Sequence, residues 1–227
     1  MLELPLKSSI AESAIILGAS GIGEGTLIGW NVIVGHPSKA SLLQARDFSN
    51  SAGAQLGAHC ILRSGTVIYE QAALGNNVQT GHHVIIREGA QIGDDCVFGN
   101  NTVIREDAQL GRNVRLMESV TISEGALIGD DVFIGPHVTF TAGRYMTGAL
   151  QASGQLSTES ATEMEGRFWQ GPSVQVADRV RIGSNAVILA GVQLGEDCVI
   201  AAGAVVSTNV PAGATAAGNP ARILKSS

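Results

Sequence analysis

The chain has 227 residues, 44% hydrophobic but only 4% aromatic, with 29 glycines against 6 prolines and a formal net charge of −6. That length suits one domain, and glycine without matching proline argues for many tight turns and against disorder or collagen. The negative balance excludes nucleic acid or an anionic membrane surface as a general partner, leaving room for a local basic pocket.

Residues 1–14 open with MLELPLKSSI, which has no apolar stretch long enough for a signal peptide. No later run approaches membrane-spanning length, so a cytoplasmic protein is expected. Residues 1–14 read as an end cap. A six-residue repeat then begins with Ile16, Ile22, Ile28 and Val34. Residues 36–53 break it with a polar, Ser-rich stretch that reads equally as a specificity loop and as a surface insertion.

From Leu56 to Phe140 every sixth residue is large and apolar except Thr80. Four positions further on, each hexad carries a small or β-branched residue, from Cys60 and Thr66 to Val132 and Val138. An amphipathic helix, which repeats near 3.6 residues, does not produce this double constraint. Gly, Asn and Asp concentrate three positions after the large residue, as left-handed turns require. Short strands alternating with turns are expected, the large residues filling the interior. A second polar stretch, residues 142–169, interrupts the repeat and holds Phe168 and Trp169. Val176, Ile182, Ile188, Leu194, Ile200 and Val206 resume it, and residues 213–227 read as the C-terminal cap. Cys60, Cys96 and Cys198 fall at inward positions and read as core thiols, not nucleophiles.

Nearly the whole chain resembles the hexapeptide-repeat acyltransferases. The resemblance implies an all-β, left-handed parallel β-helix: a triangular prism of roughly eight coils in a single domain, 1–227, with two loop excursions. The handedness comes from the resemblance, since general crossover rules favour the right hand. The family implies a homotrimer with shared clefts between subunits, and the charge balance and lack of long apolar runs imply no nucleic acid or membrane partner. It also implies acyl transfer from a coenzyme A thioester such as acetyl-CoA, with no metal. An acyl carrier protein is the alternative donor.

The segment AVILAGVQLGEDCVIAAGAVVSTNVPAGATAAGNPARIL resembles the coenzyme A-binding end of such acetyltransferases. Ala190, Gly191, Ala202 and Gly203 would border the pantetheine arm, and Arg222 and Lys225 would meet the adenosine phosphates. Where the family often has Lys before Val-Pro, this chain has Ser207-Thr208-Asn209. The segment LGNNVQTGHHVIIREGAQIG is similar to the sugar-nucleotide N-acetyltransferase subfamily, which makes His82 the expected general base. His83 is a second candidate, although His also favours left-handed turns. Glu124 matches a Glu near the acceptor amine in that subfamily. Ser64, His82, Asn100 and Glu118, 18 residues apart, are expected to stack as a ladder, with Asn100 and Glu118 binding acceptor. Arg144 and Tyr145 agree with the subfamily's acceptor contacts, while Ala142-Gly143 replace its usual Asn-Asp. The expected reaction is direct transfer in a ternary complex to an amine or hydroxyl, best an amino sugar or its nucleotide conjugate. Two other readings are a non-catalytic trimeric scaffold and a metalloenzyme like the γ-carbonic anhydrases. The latter needs two histidines five residues apart, a spacing that His82 and His83 lack.

Overall fold

The computed structural model describes residues 8–141 and 174–224. Its backbone winds as a left-handed parallel β-helix whose two- to four-residue strands build three sheets, here faces 1, 2 and 3 in the order the chain meets them. Face 1 runs from Ser9–Ile10 to Arg222–Leu224, face 2 from Ile15–Ile16 to Val205–Val206, and face 3 from Gly21–Ile22 to Gln193–Leu194. Each strand pairs in parallel with the strand one coil away, as Ile86 does with Ile104 and Ile92 with Leu110.

The six-residue pattern follows from this stacking. In a two-residue strand one side chain faces in and one faces out, so large residues such as Ile86, Ile104 and Ile134 are fully buried. Four residues on, Val84, Ala90, Cys96 and their equivalents are also fully buried, filling the angles where faces meet. Between them every corner from His59 to His137 has positive φ, whether occupied by Asn77 (59°), His83 (55°) or Gly89 (72°).

Face 1 carries ten coils rather than the eight expected, since its 11 strands run in parallel until an antiparallel last one. The extra rungs sit at the ends. Ile10 pairs with Ile28 inside the presumed N-terminal cap, and the small Ala216 pairs with Ile200. Arg222–Leu224 then doubles back on Thr215–Ala217 and covers that edge.

Both excursions leave after face 2. Across the first, Val34 still pairs with Ile68 before a bulge sets His36 opposite Tyr69, and across the second Phe140 pairs with Ile188, so the coil-to-coil pairing continues past both. The first excursion contains a short helix, α1 (Lys39–Ala45). Ser38 caps its N-terminus by accepting from the Ser41 N–H, and Arg46 ends it at φ 54°.

Candidate functional site

Residues 18 apart stack along the edges of the prism. At the edge between faces 1 and 2, the N–H of His83 donates to the Ser64 carbonyl (3.1 Å), that of Asn101 to His82 (2.9 Å) and that of Ser119 to Asn100 (2.9 Å). His82 projects outward from this ladder and is exposed, as is Glu118, with Asn100 half-buried between them. The Asn100 Oδ1 accepts from the His82 backbone N–H at 2.7 Å, so it fixes the main chain under the imidazole rather than the ring itself. His83 occupies the left-handed corner, and its ring lies against Gly65, where an added Cβ would approach Nδ1 to 2.4 Å. His59 lies against Gly25 in the same way. The two imidazoles of the pair diverge, with centroids 6.5 Å apart.

His82 stands on the rim of a cleft of about 450 Å³ on the outer side of face 1. Leu27, Ile28, Ile61 and Leu62 give it an apolar floor, and Trp30, Arg63 and Ser64 line its rim. Trp30 is 68% exposed, in a chain with few aromatic residues. The buried Thr80, the one polar residue in the long interior row, serves this cleft. Its hydroxyl accepts from the Arg63 N–H (3.0 Å) and pairs with the Thr66 hydroxyl (3.0 Å). Sequence reasoning missed Trp30 and Arg63. The first excursion separates Trp30 from Ser64, and the 18-residue count reveals their stacking only after the inserted residues are subtracted.

Glu124 lies elsewhere. It follows Ile122 of face 2 and is exposed at the edge between faces 2 and 3, in line with Glu88 and Glu106. A single chain therefore does not bring His82 and Glu124 together: the width of face 2 separates them. Ala190 and Gly191 share the Glu124 edge, and the Ala190 N–H donates to the Thr141 hydroxyl at 3.0 Å, beside the point where the second excursion leaves.

Ala202 and Gly203 lie on the His82 edge, near the C-terminal end. Arg222 joins them there, exposed, because the turn before it folds over face 2: the Val205 N–H donates to the Gly218 carbonyl and the Ala221 N–H to Val205. Gly191 (φ 75°) and Gly203 (φ 70°), like Gly125 and Gly213, differ from the crowded corners Gly25, Gly65 and Gly89, because a Cβ on any of them would meet nothing within 4 Å. Asn77, Asn101 and Asn185 hold the same left-handed conformation, so neither turn geometry nor packing requires glycine at these two corners. Arg144, Tyr145 and Lys225, with Phe168 and Trp169, lie outside the described residues.

The remaining edge, between faces 3 and 1, is a solvated polar ladder in which Asp130 accepts from the Arg112 N–H (2.7 Å) and Arg112 pairs with its other oxygen (3.1 Å). A concavity of about 1150 Å³ runs along face 3 past Gln91, Gln109, Gln175 and Gln193. It contains no group that titrates near neutrality and so offers no proton acceptor. Cys60, Cys96 and Cys198 are fully buried, and burial pushes the Cys96 and Cys198 thiols up to about 11, far from a reactive thiolate. Among the described residues no three His, Cys, Asp or Glu side chains cluster as metal ligands, and no helix is long and apolar enough to cross a membrane.

Three stretches, residues 72–106, 107–142 and 173–208, match the family model described as bacterial transferase hexapeptide (six repeats). Over 52 residues the chain is 60% identical to a 2,3,4,5-tetrahydropyridine-2,6-dicarboxylate N-acetyltransferase of Staphylococcus carnosus (strain TM300). That match spans 23% of this chain and 22% of that enzyme, about a fifth of the relative's length. Among solved structures, the fold is shared with the UDP-N-acetylglucosamine acyltransferase from Campylobacter jejuni (TM-score 0.62, 17% identity, 95% of this chain and 74% of that one). It is also shared with the UDP-N-acetylglucosamine O-acyltransferase from Moraxella catarrhalis (TM-score 0.57, 19% identity, 95% and 73%).

Proposed function

We propose that this chain, a left-handed β-helix carrying bacterial transferase hexapeptide repeats, transfers an acetyl or related acyl group from coenzyme A to an amine or hydroxyl of a small acceptor. An amino sugar or nucleotide-linked amino sugar fits the reading best. The observation that carries it is the exposed His82 imidazole, set on a main chain fixed by Asn100 at the rim of an apolar cleft. The acceptor nitrogen attacks the thioester carbonyl carbon, and the His82 imidazole takes the proton that the nitrogen sheds. The tetrahedral intermediate then collapses, the C–S bond breaks, and the imidazolium returns its proton to the leaving thiolate. Backbone N–H groups would steady the oxyanion. His83 is the weaker choice of base, since its ring is committed to the turn below it.

The reading needs a homotrimer. Support comes from the outward row of face 2: Ile33, Val67, Ile85, Val103, Thr121, Val187 and Val205 are apolar or β-branched, whereas face 3 presents glutamines. Turning face 2 toward a three-fold axis would set the His82 edge of one chain against the neighbour's edge between faces 2 and 3. His82 and Gly203 would then lie along one wall of a shared groove and the partner subunit's Gly191 and the partner subunit's Glu124 along the other, Glu124 of the partner subunit two coils, roughly 10 Å, beyond the height of His82. Ala190 lies four coils beyond His82, roughly 19 Å at strand spacing, a span for the long pantetheine arm to bridge.

The test is thiol release from acetyl-coenzyme A in the presence of amino sugars and their nucleotide conjugates. Wild type turns over at least one acceptor, and His82→Ala loses about 10²- to 10⁴-fold in kcat, as removal of a general base does. Turnover by His82→Ala within a few-fold of wild type overturns the assignment.

A further inference from the structure

The first excursion builds a second cavity, about 360 Å³, at the edge between faces 2 and 3. Its lining includes Lys39 and Arg46 from the excursion, Arg87 and Tyr69 from the prism, and His36 where the two join; no carboxylate lines it. Such a convergence of cations is unexpected in a chain of net charge −6. Like charges drawn together without a counter-ion repel, and an anion entering between them relieves that cost.

The walls are fixed in advance. Glu70, 4% exposed, sits beneath the excursion and ties both its limbs to the prism. Its Oε1 accepts from the Ser38 N–H (2.8 Å) and from the Ser41 hydroxyl, and its Oε2 from the Ala52 N–H (2.9 Å). Arg87 is held by Glu88 (2.8 Å) and Glu106 (2.9 Å), and its guanidinium lies 4.7 Å from the centre of the Tyr69 ring. Those carboxylates offset part of the Arg87 charge. Among the described residues Lys39 and Arg46 have no such partner, and both are exposed toward an incoming ligand. His36 also lines the cavity, its Nδ1 facing the Pro37 carbonyl (2.8 Å).

We propose that Lys39, Arg46 and Arg87 form an oxyanion-binding pocket for the phosphoryl or carboxylate group of the acceptor. The volume suits such a fragment, small pockets starting near about 300 Å³, and guanidinium groups match the forked geometry of both oxyanions. Arg87 stands on the same coil as His82, so the pocket lies at the height of the proposed base. As an acceptor subsite it rests on the transferase reading. As an oxyanion site it stands alone.

Isothermal titration of the full chain at low salt tests it, with inorganic pyrophosphate and glutarate as probes. Saturating coenzyme A is present so that the cofactor groove is not counted. Wild type binds at least one probe at one site per chain, and Lys39→Gln/Arg46→Gln weakens that binding at least ten-fold without changing coenzyme A affinity. Preference for pyrophosphate identifies a phosphoryl acceptor, and preference for glutarate a carboxylate one; both support the pocket. No binding of either probe, or equal binding by the double variant, overturns it. Coenzyme A titrated alone separates the two readings: probe binding dependent on Lys39 and Arg46 without cofactor binding keeps the pocket and removes transfer from coenzyme A.

Discussion

Gly191 and Gly203 put a sharp question at the level of single residues: does glycine serve the turn or a ligand? Their positive φ angles match those of Asn77 and Asn185, and a Cβ would touch nothing. Asparagine, which enters the left-handed region readily, therefore suits the corner while its side chain intrudes on whatever approaches from outside. Gly203→Asn is expected to melt within about 2 °C of wild type, the scale of a near-neutral surface change, yet to weaken coenzyme A binding at least ten-fold. Melting scans with a cofactor titration check this, and unchanged affinity would return Gly203 to a purely structural role. Glycines such as Gly65 and Gly89 are different, because the side chains of His83 and Asp107 crowd the space a Cβ would need.

Among the elements, the excursion carrying α1 depends on one buried carboxylate. Burial pushes Glu70 upward, but hydrogen bonds from Ser41, Ala52 and Ser38 outweigh that and hold it down at about 2 against an ordinary 4.5. A depressed carboxylate lends stability above its unfolded value and loses it as pH falls toward the folded one. The Ser38 and Ala52 amides should therefore keep their hydrogen-exchange protection down to about pH 4.5 and lose it between there and about pH 2. Glu70→Gln should reduce the same protection at neutral pH, and flat protection across that window would contradict the assignment. The prism itself was legible in the sequence because parallel stacking forces one inward residue every six, a signal that residues 56–140 repeat without a slip. The end rungs at Ile10 and Ala216 were hidden, the first because it lies in the segment assigned as a cap and the second because a small alanine does not announce a core position. Helix α1 was hidden too, being seven residues long and too short for a helical period to show against a Ser-rich background. The ladder through His82 could be read from the 18-residue spacing. The Lys39–Arg46–Arg87 pocket could not, since it depends on how α1 folds back over Tyr69.

Across the whole molecule, the three faces divide the labour. Face 3 presents amides, the edge between faces 3 and 1 is charged and solvated, and face 2 is mostly apolar outside as well as in. A face that is apolar on both sides calls for a covering partner, and a further copy of the same chain supplies one by symmetry. Val103→Glu, at the middle of that row, should shift light-scattering mass from trimer to monomer and abolish turnover while preserving the β-rich circular dichroism. A monomeric wild type, or a trimeric variant, would rule out face 2 as the interface.

The winding of the chain has one more consequence. Coil-to-coil pairing continues past both excursions, and each circuit lifts the backbone by the same increment. The interval between the imidazole and the uncovered glycines can therefore change only by whole circuits. Insertion or loss of 18 residues would move the two apart or together by one step while leaving each intact, so such proteins can diverge in the reach of their reactants through duplication alone.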